Sequence, residues 1–118
     1  MNPQPKENPV RSEPYRRLVA ALPCVRCGID GFTQVAHADS AGKGTGLKPS
    51  DRDVMPLCGP RPMEPGCHWL LGTSGRIQKE ERRELEAEYV YQTQLELILL
   101  SQDDHKIRKV LVKAGLVK

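Results

Sequence analysis

Large side chains are scarce in this chain: 4% of its 118 residues are aromatic and 38% are hydrophobic. A core built from so little is small, and small cores are commonly stapled by a metal or by disulfides. No stretch approaches the roughly 20 consecutive apolar residues needed to span a bilayer, so no membrane role is expected. The opening Met1-Asn2-Pro3-Gln4-Pro5-Lys6 holds no apolar run of the secretory kind, which makes the cytoplasm the expected compartment. An excess of charge of either sign is also nearly missing. Lys and Arg number 18 against 15 Asp and Glu, and the net charge of +3 permits nucleic-acid binding without demanding it. Both ends look too polar and charged to add much to a core, and residues 1–13, rich in proline, read as a disordered arm.

Against these absences stand four cysteines in two pairs. Cys24-Val25-Arg26-Cys27 has the C-x₂-C spacing that lets two thiolates turn back onto one tetrahedral ion. Cys58 and Cys67 form the second pair, spread by an insert of eight residues that includes Pro60, Pro62 and Pro65 and reads as a stiff, wound loop. In a reducing compartment such a quartet favours zinc over disulfides. His37 lies between the pairs and His68 directly follows Cys67. Because neighbouring residues seldom both ligate one tetrahedral ion, His68 is an alternative to Cys67 as the fourth zinc ligand.

The apolar pattern gives an α+β order. A helix is expected from Pro14, with Leu18, Val19, Ala21 and Leu22 on its apolar side and Pro23 ending it. Residues 32–38 and 54–57 have strand composition, and Pro56 restricts the second strand to an edge or an end. The intervening loop, 39–53, is long enough to suggest a function. Its Gly42-Lys43-Gly44-Thr45-Gly46 lacks the order of a phosphate-binding P-loop. A short helix is expected over 68–71 and a long one over about 76–101. In the long helix, Leu95, Leu97, Ile98, Leu99 and Leu100 are dense enough to be buried, in the core or at a dimer contact. Ile107, Val110, Leu111 and Ala114 sit at helical spacing before Gly115, and predict a last helix. The bases Lys106, Arg108, Lys109, Lys113 and Lys118 gathered there form either a solvated tail or a phosphate-tracking patch.

Strand, long loop, strand and histidine-bearing helix is the order of the ββα-metal (HNH) endonuclease superfamily, which the chain resembles over about residues 14–76. Val35-Ala36-His37 resembles the first-strand histidine, and Leu57-Cys58 with Cys67-His68 resembles the segment that carries half of the zinc site in zinc-bearing members. His37 followed by residues 42–51 and Met55-Pro56-Leu57-Cys58 is most similar to the phage and prophage Ref-like (recombination-enhancement nuclease) and YbcO-like group.

The resemblance implies a small ββα-metal motif with a four-cysteine zinc site (Cys24, Cys27, Cys58, Cys67), flanked by an N-terminal helix and C-terminal helices. Residues 77–118 would be a helical extension of the same domain. It also implies a metal-dependent DNA endonuclease, possible in recombination or DNA processing, with DNA and a recombination protein as partners and the host cytoplasm as its location if phage-encoded. His37 would be the general base, a task suited to a side chain that titrates near neutrality, and Asp51 would complete the catalytic pair. Mg²⁺ or another divalent ion would offset charge on the phosphate beside His68 and Asp39. Many superfamily members carry a metal ligand where Ala36 stands, which leaves Asp39 and Asp51 as the available carboxylates. Lys43, Lys48 and Arg52 would grip DNA phosphates. A non-catalytic zinc module that binds DNA or a protein is the alternative.

Overall fold

The computed structural model describes residues 10–38 and 50–118. Asp39, Lys43 and Lys48 therefore lie outside the described residues, as do the arm through residue 9 and most of the long loop.

The first helix, α1, spans Glu13–Ala20. Ser12 caps it by accepting a hydrogen bond from Tyr15 N–H at 3.2 Å, and Pro14 stands in the first turn, where its missing N–H costs nothing. Tyr15 and Val19, one turn apart, are the residues it buries.

Strands β1 (Thr33–His37) and β2 (Val54–Cys58) pair antiparallel, from Thr33 opposite Cys58 to His37 opposite Val54. Pro56 lies opposite Val35, and its carbonyl accepts Val25 N–H at 2.8 Å, which docks the cysteine knuckle onto β2. Every residue of β2 is buried. A strand of a two-stranded sheet is an edge by pairing, yet this one is covered by packing.

The insert after Cys58 winds back on itself: Arg61 and Glu64 exchange N–H···O bonds of 2.8 and 3.0 Å. It ends at Gly66, where φ is +94° and an added Cβ would lie 2.6 Å from the carbonyl oxygens of Cys58 and Gly59. Only glycine fits there. Helix α2 follows at once, over Cys67–Gly72, and packs against β2.

Helix α3 (Lys79–Ser101) runs past both apolar clusters. Leu85, Tyr89 and Val90 pack on the cluster of Met55, Leu57, Leu71 and three of the cysteines, while Leu97 belongs to the cluster of Tyr15, Val19, Val54 and Leu111. The expected burial of its leucines holds for Leu97 alone; Leu95, Leu99 and Leu100 are 41–52% exposed. A helix laid across a small core buries one narrow stripe, and these three fall beside it.

Helix α4 (His105–Lys113) is capped by Asp104, whose side chain accepts from Lys106 and Ile107 N–H at 2.9 and 3.2 Å. It packs on α3 and α1 and buries Leu111 and Ala114 almost completely. The expectation that the charged C-terminal end adds little to the core is thus corrected. A 3.6-residue apolar stripe embedded in a basic segment is enough to close it.

The architecture is a small α+β unit, with a two-stranded sheet between helices.

Candidate metal and histidine centre

The four cysteine side chains arrive from three places. Cys24 and Cys27 come from the knuckle, where Gly28 N–H bonds Cys24 O at 2.8 Å; Cys58 ends β2 and Cys67 opens α2. Their Sγ atoms all lie within 4.8 Å of one another, and Cys27 Sγ is 3.7 Å from Cys58 Sγ. A tetrahedral zinc with Zn–S bonds of about 2.3 Å sets its sulfurs about 3.8 Å apart, whereas a disulfide would need about 2.05 Å. The quartet therefore has metal-binding geometry, compatible with a structural zinc.

The surroundings favour charge on Cys58 and Cys24 and disfavour it on Cys67 and Cys27. Cys67 N–H donates to Cys58 Sγ at 3.2 Å, Cys27 N–H to Cys24 Sγ at 3.5 Å, and the Arg26 guanidinium to Cys67 Sγ at 3.5 Å. Burial raises the Cys58 thiol, but the Cys67 N–H and Arg61 outweigh it and bring its pKa down to about 6. Cys67 is pushed up to about 12, chiefly by burial, with Cys58 and Cys24 adding to the shift. Four crowded sulfurs cannot all ionise on their own; a divalent cation reconciles them.

His37 closes β1 and stands opposite Val54. Its Nε2 lies 3.0 Å from Asp51 Oδ1. Asp51 is 1% exposed and has four partners: His37, Ser12 N–H at 2.7 Å on Oδ2, Arg16 on the same oxygen, and Arg11 at 3.5 Å on Oδ1. Burial works against its ionisation, yet the Ser12 N–H, His37 and Arg16 together hold the carboxyl below the ordinary carboxylate range. A carboxylate on Nε2 favours the tautomer with the proton there, which leaves Nδ1 as the acceptor nitrogen. Asp51, expected as half of a catalytic pair, is placed to orient His37.

His68, on the first turn of α2, bonds Gln34 Oε1 through Nδ1 at 2.8 Å, which leaves Nε2 as its open nitrogen. Burial lowers its pKa and favours the neutral ring. His37 and His68 both line a small cavity of about 70 Å³ whose wall also carries Glu86 of α3.

Glu86, 3% exposed, was missed in the sequence. It lies among Glu80, Glu81, Glu84 and Glu88 on a charged helix, and nothing local separates it from its solvated neighbours. Among the described residues the cysteine quartet is the one group of three or more Cys, His, Asp or Glu whose ligand atoms converge within 4.8 Å; His37, His68 and Glu86 share a cavity without gathering that tightly.

No family model, curated protein or solved structure matches the chain.

Arg52, expected on DNA, is half-buried: its guanidinium lies 3.4 Å from where a Cβ on Gly115 would stand, and its carbonyl accepts from Gln94 Nε2 at 2.8 Å. Trp69 stacks beneath Arg76 at 5.3 Å. No helix among the described residues is long and apolar enough to cross a membrane.

Proposed function

We propose that the chain is a zinc-stapled, HNH-like, metal-dependent endonuclease that hydrolyses phosphodiester bonds in DNA. The observation that carries this reading is His37, held through Nε2 by a buried carboxylate and facing a cavity it shares with His68. Phosphodiester hydrolysis needs a base that takes a proton from the attacking water, and a histidine anchored through one nitrogen, with the other as acceptor, meets that need. Water attacking the phosphorus would give its proton to His37 Nδ1 as the bond from phosphorus to the 3′ oxygen breaks and that oxygen takes up a proton from solvent, while Asp51 keeps the ring in one tautomer and offsets the imidazolium charge. His68 Nε2, with Asp39 of the long loop, is the proposed holder of Mg²⁺ or another divalent ion, which when bound would offset charge on the phosphate oxygens. The four cysteines, through zinc, would keep α2 and its histidine fixed against β2.

A second reading, a non-catalytic zinc module, is favoured by one observation: His37, His68 and Glu86 are not gathered to ligand distance among the described residues. One experiment separates the two. Zinc-loaded protein given Mg²⁺, Mn²⁺ or Ni²⁺ should cut single-stranded, duplex or branched DNA, and His37→Ala should lower the rate by about 10²–10⁴-fold while the fold persists. If every DNA stays intact in every metal, the module is the better reading.

A further inference from the structure

Away from the histidines, a groove of about 480 Å³ opens between the approach to α1 and the outer face of α4. Its charge is one-sided: Lys106, Lys109 and Lys113 lie on one wall, with Val110 between them, and Arg11, itself paired with Asp51, lies on the other. The single acid in its lining, Glu13, is already paired with Arg17 at 2.8 Å. The three lysines fall at i, i+3 and i+7, one stripe along α4, and all are exposed. Among the described residues none of them forms an ion pair.

Only Lys113, in the last turn of α4, is placed where the helix dipole favours a cation. Like charges three and four residues apart destabilise a helix. Lys106 also stands in the first turn, where the helix dipole disfavours a cation. Such an arrangement is stabilised when an anion fills it.

We propose that this groove holds the sugar-phosphate backbone of the nucleic-acid strand, a proposal that rests on the reading of DNA as substrate. At about 1.5 Å per residue the stripe from Lys106 to Lys113 is about 10 Å long. Successive phosphates of one strand rise about 3.4 Å along the duplex axis and lie roughly twice that apart along the winding backbone, so the stripe, with its long side chains, matches two to three of them. A lone phosphate would use only part of that length, and a flat bilayer surface does not enter a groove. The groove also leads to the histidine centre. Arg11 in its wall reaches Asp51 Oδ1 at 3.5 Å, the oxygen that lies 3.0 Å from His37 Nε2.

The test is DNA affinity as a function of salt, measured by fluorescence anisotropy on full-length, zinc-loaded protein without added Mg²⁺, so that binding is read apart from cleavage. Wild type should show a steep fall of log K with log salt. Replacing all three lysines (Lys106→Gln, Lys109→Gln, Lys113→Gln) should reduce that slope by about 1.8 to 2.7 for a duplex, about 0.9 per phosphate released. Lys109→Gln alone should reduce it by about 0.9, while Arg108→Gln, on the same helix but outside the groove lining, should leave it in place. Circular dichroism checks that each variant is folded.

Equal slopes for wild type and the triple variant overturn the proposal, as does an Arg108→Gln effect as large as that of Lys109→Gln. Wild-type protein that ignores DNA but binds vesicles rich in phosphatidylserine through these lysines also overturns it. If wild type binds DNA with the lysine-dependent slope yet cuts none, the groove stands and the nuclease reading falls.

Discussion

Asp51→Asn tests the centre most directly, because it keeps the shape of a side chain that is 1% exposed and changes only its charge. The amide can still accept Ser12 N–H, but it no longer offsets Arg16 and Arg11 or holds His37 as a carboxylate would. Hydrogen bonds to a charged group contribute about 1.5–3 kcal/mol each, against about 0.5–1.5 kcal/mol for neutral ones. Arg16, Arg11 and His37 have side chains 34–45% exposed, so water takes over part of what they lose. Discounting for that, the expected loss is about 2 kcal/mol, mostly from the Ser12 and Arg16 bonds.

For a domain of this size that lowers Tm by about 8 °C. Because the folded carboxyl titrates below its unfolded value, its stabilisation is fully present above the unfolded pKa of about 3.9 and is lost as pH falls through the folded pKa. Thermal melts of wild type and Asp51→Asn from pH 7 down to pH 2 should therefore differ at neutrality and converge in acid. Equal Tm values at pH 7, or a gap that does not narrow as pH falls below the unfolded pKa, would refute the argument that this carboxylate is ionised and engaged in the native state.

Removing zinc with a chelator should abolish the cooperative melt, and metal analysis should return about one zinc per folded chain, as one four-thiolate site requires; a cooperative transition surviving full chelation counts against the staple. Gly66→Ala should destabilise by more than the roughly 1–3 kcal/mol of backbone strain, because its Cβ also meets two carbonyl oxygens. Gly31→Ala, with a φ of +90° but nothing within 4 Å, should cost the strain alone, so equal melting losses for the two would remove the steric argument.

The sequence determined what local chemistry can encode. The C-x₂-C spacing and the position of Cys67 directly before a short helix announced the thiolate quartet, since ligand spacing is a local property. Both strands, the order of the helices and the last helix closing near Gly115 were readable from period and punctuation, although the start of α3 lies at Lys79 instead of about 76. Tertiary structure decided what depends on neighbours distant in the chain. The four partners of Asp51 come from residues 11 to 37. No pattern near Asp51 marks it as a buried carboxylate that orients His37 when it could equally be a solvated acid in a loop. Glu86 enters the histidine cavity only because α3 crosses the sheet with that face inward. Likewise, which of the leucines from 95 to 100 is buried follows from where a straight helix meets a small core. The lysine stripe of α4 becomes one wall of a groove only when α1 packs beside it.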